Sequence, residues 1–231
     1  FFTMSIFYRL FIPDLFPQYD KAIYIDSDTV VVDDIAKLYN NDLDNKLFAA
    51  CTDSSIQYVD KMVKYIKEVL ALDPKKYINS GMLVLNSKAF RDEHFIDHFM
   101  HLLERYHFDC IAPDQDYLNE IGDGRILHLD PRWDAMPNEN TEPISKPGLI
   151  HYNLFFKPWH FKDVQYNDYF WKYASSTPFY EELKSELDNY TNQERAEDRA
   201  KLDHMLEKEA STALDPNNWA QIKRKGERVK L

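Results

Sequence analysis

A chain of 231 residues is long enough for one α/β domain with an appendage, and its formal net charge of −11 argues against a general nucleic-acid binder, which needs a basic face. Its composition is that of a soluble globular protein, rich in Tyr and Phe and very poor in Gly. No apolar stretch approaches the ~20 residues of a membrane span and no secretory signal is visible, while Cys51 and Cys110 read as reduced, partly buried thiols of a cytoplasmic protein.

From Phe2 to Leu10 the apolar positions suit a helix that Pro13 and Pro17 terminate. The chain opens at Phe1 inside that helix without an initiating Met, and so reads as a fragment lacking its N-terminal part. Lys21 to Asp26 reads as a strand buried on both faces, Thr29 to Val32 is extended, and Asp33 or Asp34 caps a short helix to about Tyr39. Leu47 to Cys51 is another buried strand. Val59, Met62, Val63, Ile66, Val69 and Leu70 form a helical stripe ended by Asp73-Pro74. Tyr77 to Leu85 reads as a strand pair interrupted by Asn79-Ser80-Gly81, and Phe95 to Tyr106 as a helix. Pro113-Asp114-Gln115-Asp116 opens a short helix closing near Gly122. Arg125 to Leu129 and Gly148 to Tyr152 are candidate strands across a Pro/Asn/Glu-rich loop. Buried strands alternating with amphipathic helices predict an open, mostly parallel α/β sheet. The domain spans residues 1–176, and 177–231 form a charged helical extension with a basic end.

Two separated stretches carry the chemistry. Asp26-Ser27-Asp28 follows a buried strand, and open α/β sheets bind ligands at the carboxyl ends of their strands. His151 and, six residues on, Lys157 come far later. Two aspartates and a histidine suit a divalent metal of intermediate hardness, Mn²⁺ above all. A lysine beside such a metal suggests a diphosphate, and without a glycine-rich phosphate loop the set points to a sugar-nucleotide enzyme. Taken alone, Asp-x-Asp also fits an ordinary acidic turn.

In order, the chain carries Tyr24-Ile-Asp-Ser-Asp-Thr-Val-Val-Val-Asp-Asp-Ile35, Ile78-Asn-Ser-Gly-Met-Leu-Val-Leu-Asn86, Asp114-Gln-Asp116 and His151…Lys157-Pro-Trp159. Together these closely resemble glycosyltransferase family 8, the retaining enzymes that include glycogenin and lipopolysaccharide galactosyltransferases, over roughly residues 1–175. The resemblance implies a Rossmann-like sheet of the glycosyltransferase A type. It implies Mn²⁺ (or Mg²⁺) held by Asp26, Asp28 and His151, with the diphosphate of a uridine-diphosphate hexose completing the shell. Lys157 then offsets charge on the leaving group, and losing one such contact is expected to cost about 3 kcal/mol of transition-state stabilisation.

By the same resemblance Asp114 holds a sugar hydroxyl and Gln115 lies near the anomeric carbon; Asp114 alone also fits a helix N-cap. Gln115 is a poor nucleophile, which favours front-face attack over a glycosyl-enzyme intermediate. Asn79 and Gly81 match a turn lining the sugar pocket, though any tight turn selects these residues. Arg9 fits an arginine facing the donor or an exposed helical Arg, and Asp53 a sugar- or acceptor-edge residue. His94, His98 and His101 read as imidazoles of an amphipathic helix, although their i, i+4, i+7 spacing could also suggest a metal site.

Two departures from the family stand out. Leu154 occupies the place, three residues past the metal histidine, where the family has Gly. The family's first, nucleotide-binding strand would lie upstream of this chain. Phe155 to Tyr180 is dense in aromatics and the end of the chain is basic, which fits either peripheral attachment to an anionic membrane or packing over the sheet edge with a solvated tail. The expected function is transfer of glucose or galactose from a uridine-diphosphate sugar to a glycan or glycolipid; the alternative is a catalytically inactive fragment or sugar-nucleotide-binding scaffold.

Overall fold

The computed structural model describes residues 4–231, without the side chain of Leu202. The expected helix start at Phe2 lies outside the described residues. A 3-10 turn (Met4–Phe7) leads into α1 (Tyr8–Leu15), then β1 (Ala22–Ile25), β2 (Thr29–Val31), α2 (Ala36–Tyr39) and β3 (Phe48–Thr52). There follow α3 (Asp60–Glu68), β4 (Ile78–Leu85), α4 (Ser87–Asp92), α5 (Phe95–Tyr106), α6 (Pro113–Ile121), β5 (Ile126–His128) and β6 (Leu149–His151). Four helices end the chain: α7 (Asn167–Ala174), α8 (Tyr180–Asn189), α9 (Asn192–Leu214) and α10 (Trp219–Arg224). Pro13 lies inside α1 rather than terminating it. In the last turn its missing N–H forfeits only one helical bond, and the helix stops two residues later.

The class is α/β, as expected, but the sheet is mixed rather than mostly parallel. Its order is β1-β4-β3-β5, with β4 antiparallel to both β1 and β3 and only β3–β5 parallel. All eight residues of β4 are buried. A central antiparallel strand covered on both faces carries the same unbroken apolar signal as a parallel one, so direction is not readable from it. β4 is also one continuous strand. The Asn79-Ser80-Gly81 triplet stays extended because side chains satisfy its polar groups: Ser80 N donates to Gln115 Oε1 and Gly81 N to Asn79 Oδ1. Beside it Asn119 acts as a surrogate strand, accepting from Ile78 N and donating to Ile78 O.

β2 and β6 form a separate antiparallel ribbon in which Thr29 faces His151. That register brings the two motifs together. Asp26 N donates to Gly81 O at 2.8 Å at one side of the turn, and Tyr152 N to Asp28 O at 2.9 Å at the other.

The main core lies between the sheet and α1, α3, α5 and α6, and it includes Leu206, Trp219, Ile222 and Val229 from the end of the chain. Residues 177–231 therefore pack on the body that carries the sheet. Trp219 stacks on Phe108 with centroids 3.6 Å apart, and Lys223 reaches within 2.5 Å of the fully buried Glu120. The basic end is engaged too: Lys230 pairs with Asp123, and Val229 O meets His98 Nε2 at 2.7 Å. Cys51 and Cys110 are buried and unbridged. No described helix is long and apolar enough to cross a membrane.

Candidate active site

Asp26, Asp28 and His151 each offer a ligand atom within 4.8 Å of the others, and among the described residues no other group of three His, Cys, Asp or Glu does so. The strand end delivers Asp26, the turn returns Asp28, and β6 delivers His151 from the other side. The free oxygens point inward: His151 Nε2 lies 3.4 Å from Asp28 Oδ1 and 3.9 Å from Asp26 Oδ2. The outer oxygens are occupied. Asp26 Oδ1 accepts from Tyr24 OH at 2.5 Å and pairs with Arg9 at 3.1 Å, while Asp28 Oδ2 accepts from Lys157 Nζ at 2.5 Å.

Gly81 lies against this cluster, and its role is not that of a turn. A Cβ there would sit 2.1 Å from His151 Cε1 and 2.9 Å from Asp26 Oδ2. The imidazole rests on the bare Cα, so only glycine lets the three side chains converge. On its far side His151 Nδ1 faces Asp134 Oδ1 at 3.0 Å, with that carboxylate fully buried. Burial alone would lower the His151 pKa, but the carboxylates of Asp134 and Asp28 outweigh it and push it up to about 10. Burial likewise works against charge on Asp28, yet His151 and Lys157 hold its carboxyl well below the usual range. The donor set, its shared focus and the carboxylate behind the histidine fit a divalent metal, whose binding displaces the imidazole proton.

Next to the cluster a cavity of about 290 Å³ is lined by Arg9, Asp53, Asn79, Gly81, Asp114 and Gln115 among others. Helix α6 begins with Pro113, so Asp114 and Gln115 fall in its first turn and point into the cavity. Arg9 is no exposed helical arginine. Its side chain is 10% exposed, pairs with Asp114 at 3.2 Å as well as Asp26, and stacks over Tyr24. Burial raises the Asp114 carboxyl above its ordinary range, with Arg9 opposing.

Asp53 lines the cavity with its carboxylate engaged within the protein. Its carboxylate accepts from Ser55 N, Ser55 Oγ, Asn79 Nδ2 and Gln115 Nε2, which fills its four acceptor positions. Through these bonds it orients Asn79 and Gln115. The Gln115 amide is fixed at both ends, by Asp53 and by Ser80 N.

Lys157 joins the site through Asp28 and Tyr152 O. Leu154 has φ +57°, so the backbone keeps the left-handed conformation suited to glycine although the residue is not glycine.

The model of glycosyl transferase family 8 matches residues 1–163. The chain belongs to this family. Relatives include the General stress protein A of Bacillus subtilis, 27% identical over 195 residues and covering 76% of this chain. Another is the glycosyltransferase GlyB of Streptococcus pneumoniae, 29% identical over 188 residues and covering 74%. The chain spans only 66% and 42% of these two relatives' own lengths. Among solved structures, the WbbM bifunctional glycosyltransferase superposes with a TM-score of 0.69 at 28% identity, over 80% of this chain and 38% of that one. The galactosyltransferase LgtC, solved with donor and acceptor sugar analogues, shares the fold with a TM-score of 0.61 at 22% identity, over 84% of this chain and 71% of that one.

Sequence reasoning missed Asp134, Tyr24 and the C-terminal helix. Asp134 sits in a Pro-initiated 3-10 turn (Pro131–Asp134) within a stretch that reads as loop, and nothing in its spacing points to His151. Met205 and Leu206 of α9 also line the cavity, although their helix reads as a solvated extension.

Proposed function

We propose that the protein is a retaining hexosyltransferase that moves a sugar from a uridine-diphosphate donor to a hydroxyl of a glycan or glycolipid, with Mn²⁺ or Mg²⁺ held by Asp26, Asp28 and His151. The resemblance points to glucose or galactose as the sugar. One observation carries the reading: three metal-competent side chains from two distant motifs converge beside a cavity that presents Asp114 and Gln115. When bound, the metal supplies Lewis-acid neutralisation of the departing diphosphate.

The remaining work falls to the chain itself. Lys157 brings a second positive charge to the edge of the metal site. Asp114, anchored by Arg9, is placed to accept a hydrogen bond from a sugar hydroxyl. Gln115 is neutral and held at both ends, so it orients at the anomeric carbon and forms no covalent bond to it. Attack by the acceptor then takes place on the face the diphosphate leaves, which retains configuration. Two buried free thiols suit a reducing, cytoplasmic compartment. Action at a membrane surface on a lipid-linked acceptor belongs to the same proposal.

The test is Mn²⁺-dependent release of uridine diphosphate from a panel of donors by the purified protein and its Asp28→Ala variant. Turnover of one donor, abolished by the substitution, is the expected result. Donor binding without turnover would leave the sugar-nucleotide-binding scaffold, and no donor binding by the unsubstituted protein would leave the inactive fragment.

A further inference from the structure

The cavity beside the proposed metal cluster is lined by two unlike sets of side chains. One consists of Arg9, Asp53, Asn79, Asp114 and Gln115. The other is made of Ile6, Ile56, Met62, Ile111, Met205 and Leu206. The two are interleaved in sequence: Ile6 precedes Arg9 by one helical turn, Ile56 follows Asp53, and Ile111 precedes Asp114. The apolar set therefore adjoins the side chains proposed to hold the sugar and does not form a separate groove. Helix α9 supplies part of it from the other end of the chain.

Several backbone groups beside these apolar side chains are already paired within the protein. Ile6 O accepts from Arg9 Nε, Ile111 N donates to Tyr65 OH, Ala112 N to Asp116 Oδ2, and Val59 N to Ile56 O. A sugar hydroxyl turned toward these side chains would lose its water partners without replacement, which is unfavourable. A methyl group there is favoured by removal of apolar surface from water.

We infer that the donor is a hexose bearing a methyl-terminated substituent, an acetamido group or a 6-deoxy carbon, seated against Met62, Ile111, Met205 and Leu206. This deepens the transferase reading and rests on it, while departing from glucose or galactose. Met205 is the specificity-determining residue because it enters from α9 and not from the sheet.

The experiment measures binding by calorimetry, with Mn²⁺ present, and the KM for uridine-diphosphate release. The donors are uridine-diphosphate glucose, galactose, N-acetylglucosamine, N-acetylgalactosamine and 6-deoxyglucose. The expected result is a preference on the order of tenfold for a methyl-bearing donor over its hydroxyl counterpart. The acetamido and 6-deoxy arms tell which source of the methyl is used. Met205→Gln should bring the ratio close to one, and Leu214→Gln, at a position 85% exposed on the same helix, should leave it unchanged. Preference for plain glucose or galactose, or a ratio indifferent to Met205→Gln, overturns the inference and leaves the transferase reading standing. Failure to bind any donor overturns both.

Discussion

The metal cluster and the C-terminal helical layer both bury contacts between segments far apart in sequence, yet different forces hold them. At the cluster, Asp26, Asp28, His151, Asp134 and Arg9 are fixed by charge and hydrogen bonds around a bare glycine. In the layer, Trp219, Ile222, Leu206 and Val229 are fixed by packing into the main core, with buried polar contacts such as Glu120–Lys223 and Glu209–Lys64 beside them. Directional contacts give a site its chemistry and contribute little net stability. Packing supplies stability and is tolerant of chemical detail. The two regions should therefore fail separately.

The largest expected effect lies in the layer. Trp219→Ala removes a ring stacked on Phe108 and edge-on to Tyr117, and should lower stability by about 3–5 kcal/mol in denaturant titration. Mn²⁺ affinity of the fraction still folded should stay unchanged; a selective loss of metal binding at full stability would erase the contrast. At the cluster, Asp134→Asn keeps the shape but removes the charge behind His151. Metal affinity should fall by about 10–100-fold in calorimetry on the folded protein.

The Glu120–Lys223 pair sharpens the comparison through pH. Burial pushes the Glu120 carboxyl from 4.5 up to about 8, with Lys223 opposing. Between those values the folded state keeps a proton that the unfolded state has shed, so this group's contribution to stability is full below pH 4.5 and is lost as pH rises toward 8. Glu120→Gln should lose less stability than the unsubstituted protein across that window, by up to about 5 kcal/mol in urea titrations. Parallel curves for the two proteins would count against it. The smallest effect is expected at Leu154, whose φ of +57° strains a branched residue. Leu154→Gly should be more stable by about 1 kcal/mol in thermal melts.

Much of the site was legible in the sequence because its residues sit where strands end. Asp26 and Asp28 follow an apolar run, which reads as buried on both faces but is only half-buried because β1 lies at the sheet edge, and Asp114 and Gln115 follow a proline that starts a helix. His151 needed the family resemblance to be tied to them. What could not be read was what depends on antiparallel register. The reversal of β4 leaves no trace in an unbroken apolar strand. Gly81 looked like a turn glycine because the imidazole that requires it comes from a ribbon seventy residues away. Asp134, in a loop, and Met205, on a helix whose polar face dominates its composition, act only through tertiary contacts. Asp53 was seen, but its contacts with Ser55, Asn79 and Gln115 depend on tertiary structure and left no mark in the sequence.

The central claim is that Asp26, Asp28 and His151 form a single divalent-metal site. Its most direct test is calorimetric titration of Mn²⁺, with uridine diphosphate present, into the unsubstituted protein and Asp28→Ala. One saturable site in the first, lost in the second at an unchanged melting temperature, is the predicted result. Equal Mn²⁺ binding by both proteins, or none by the unsubstituted one, would contradict it.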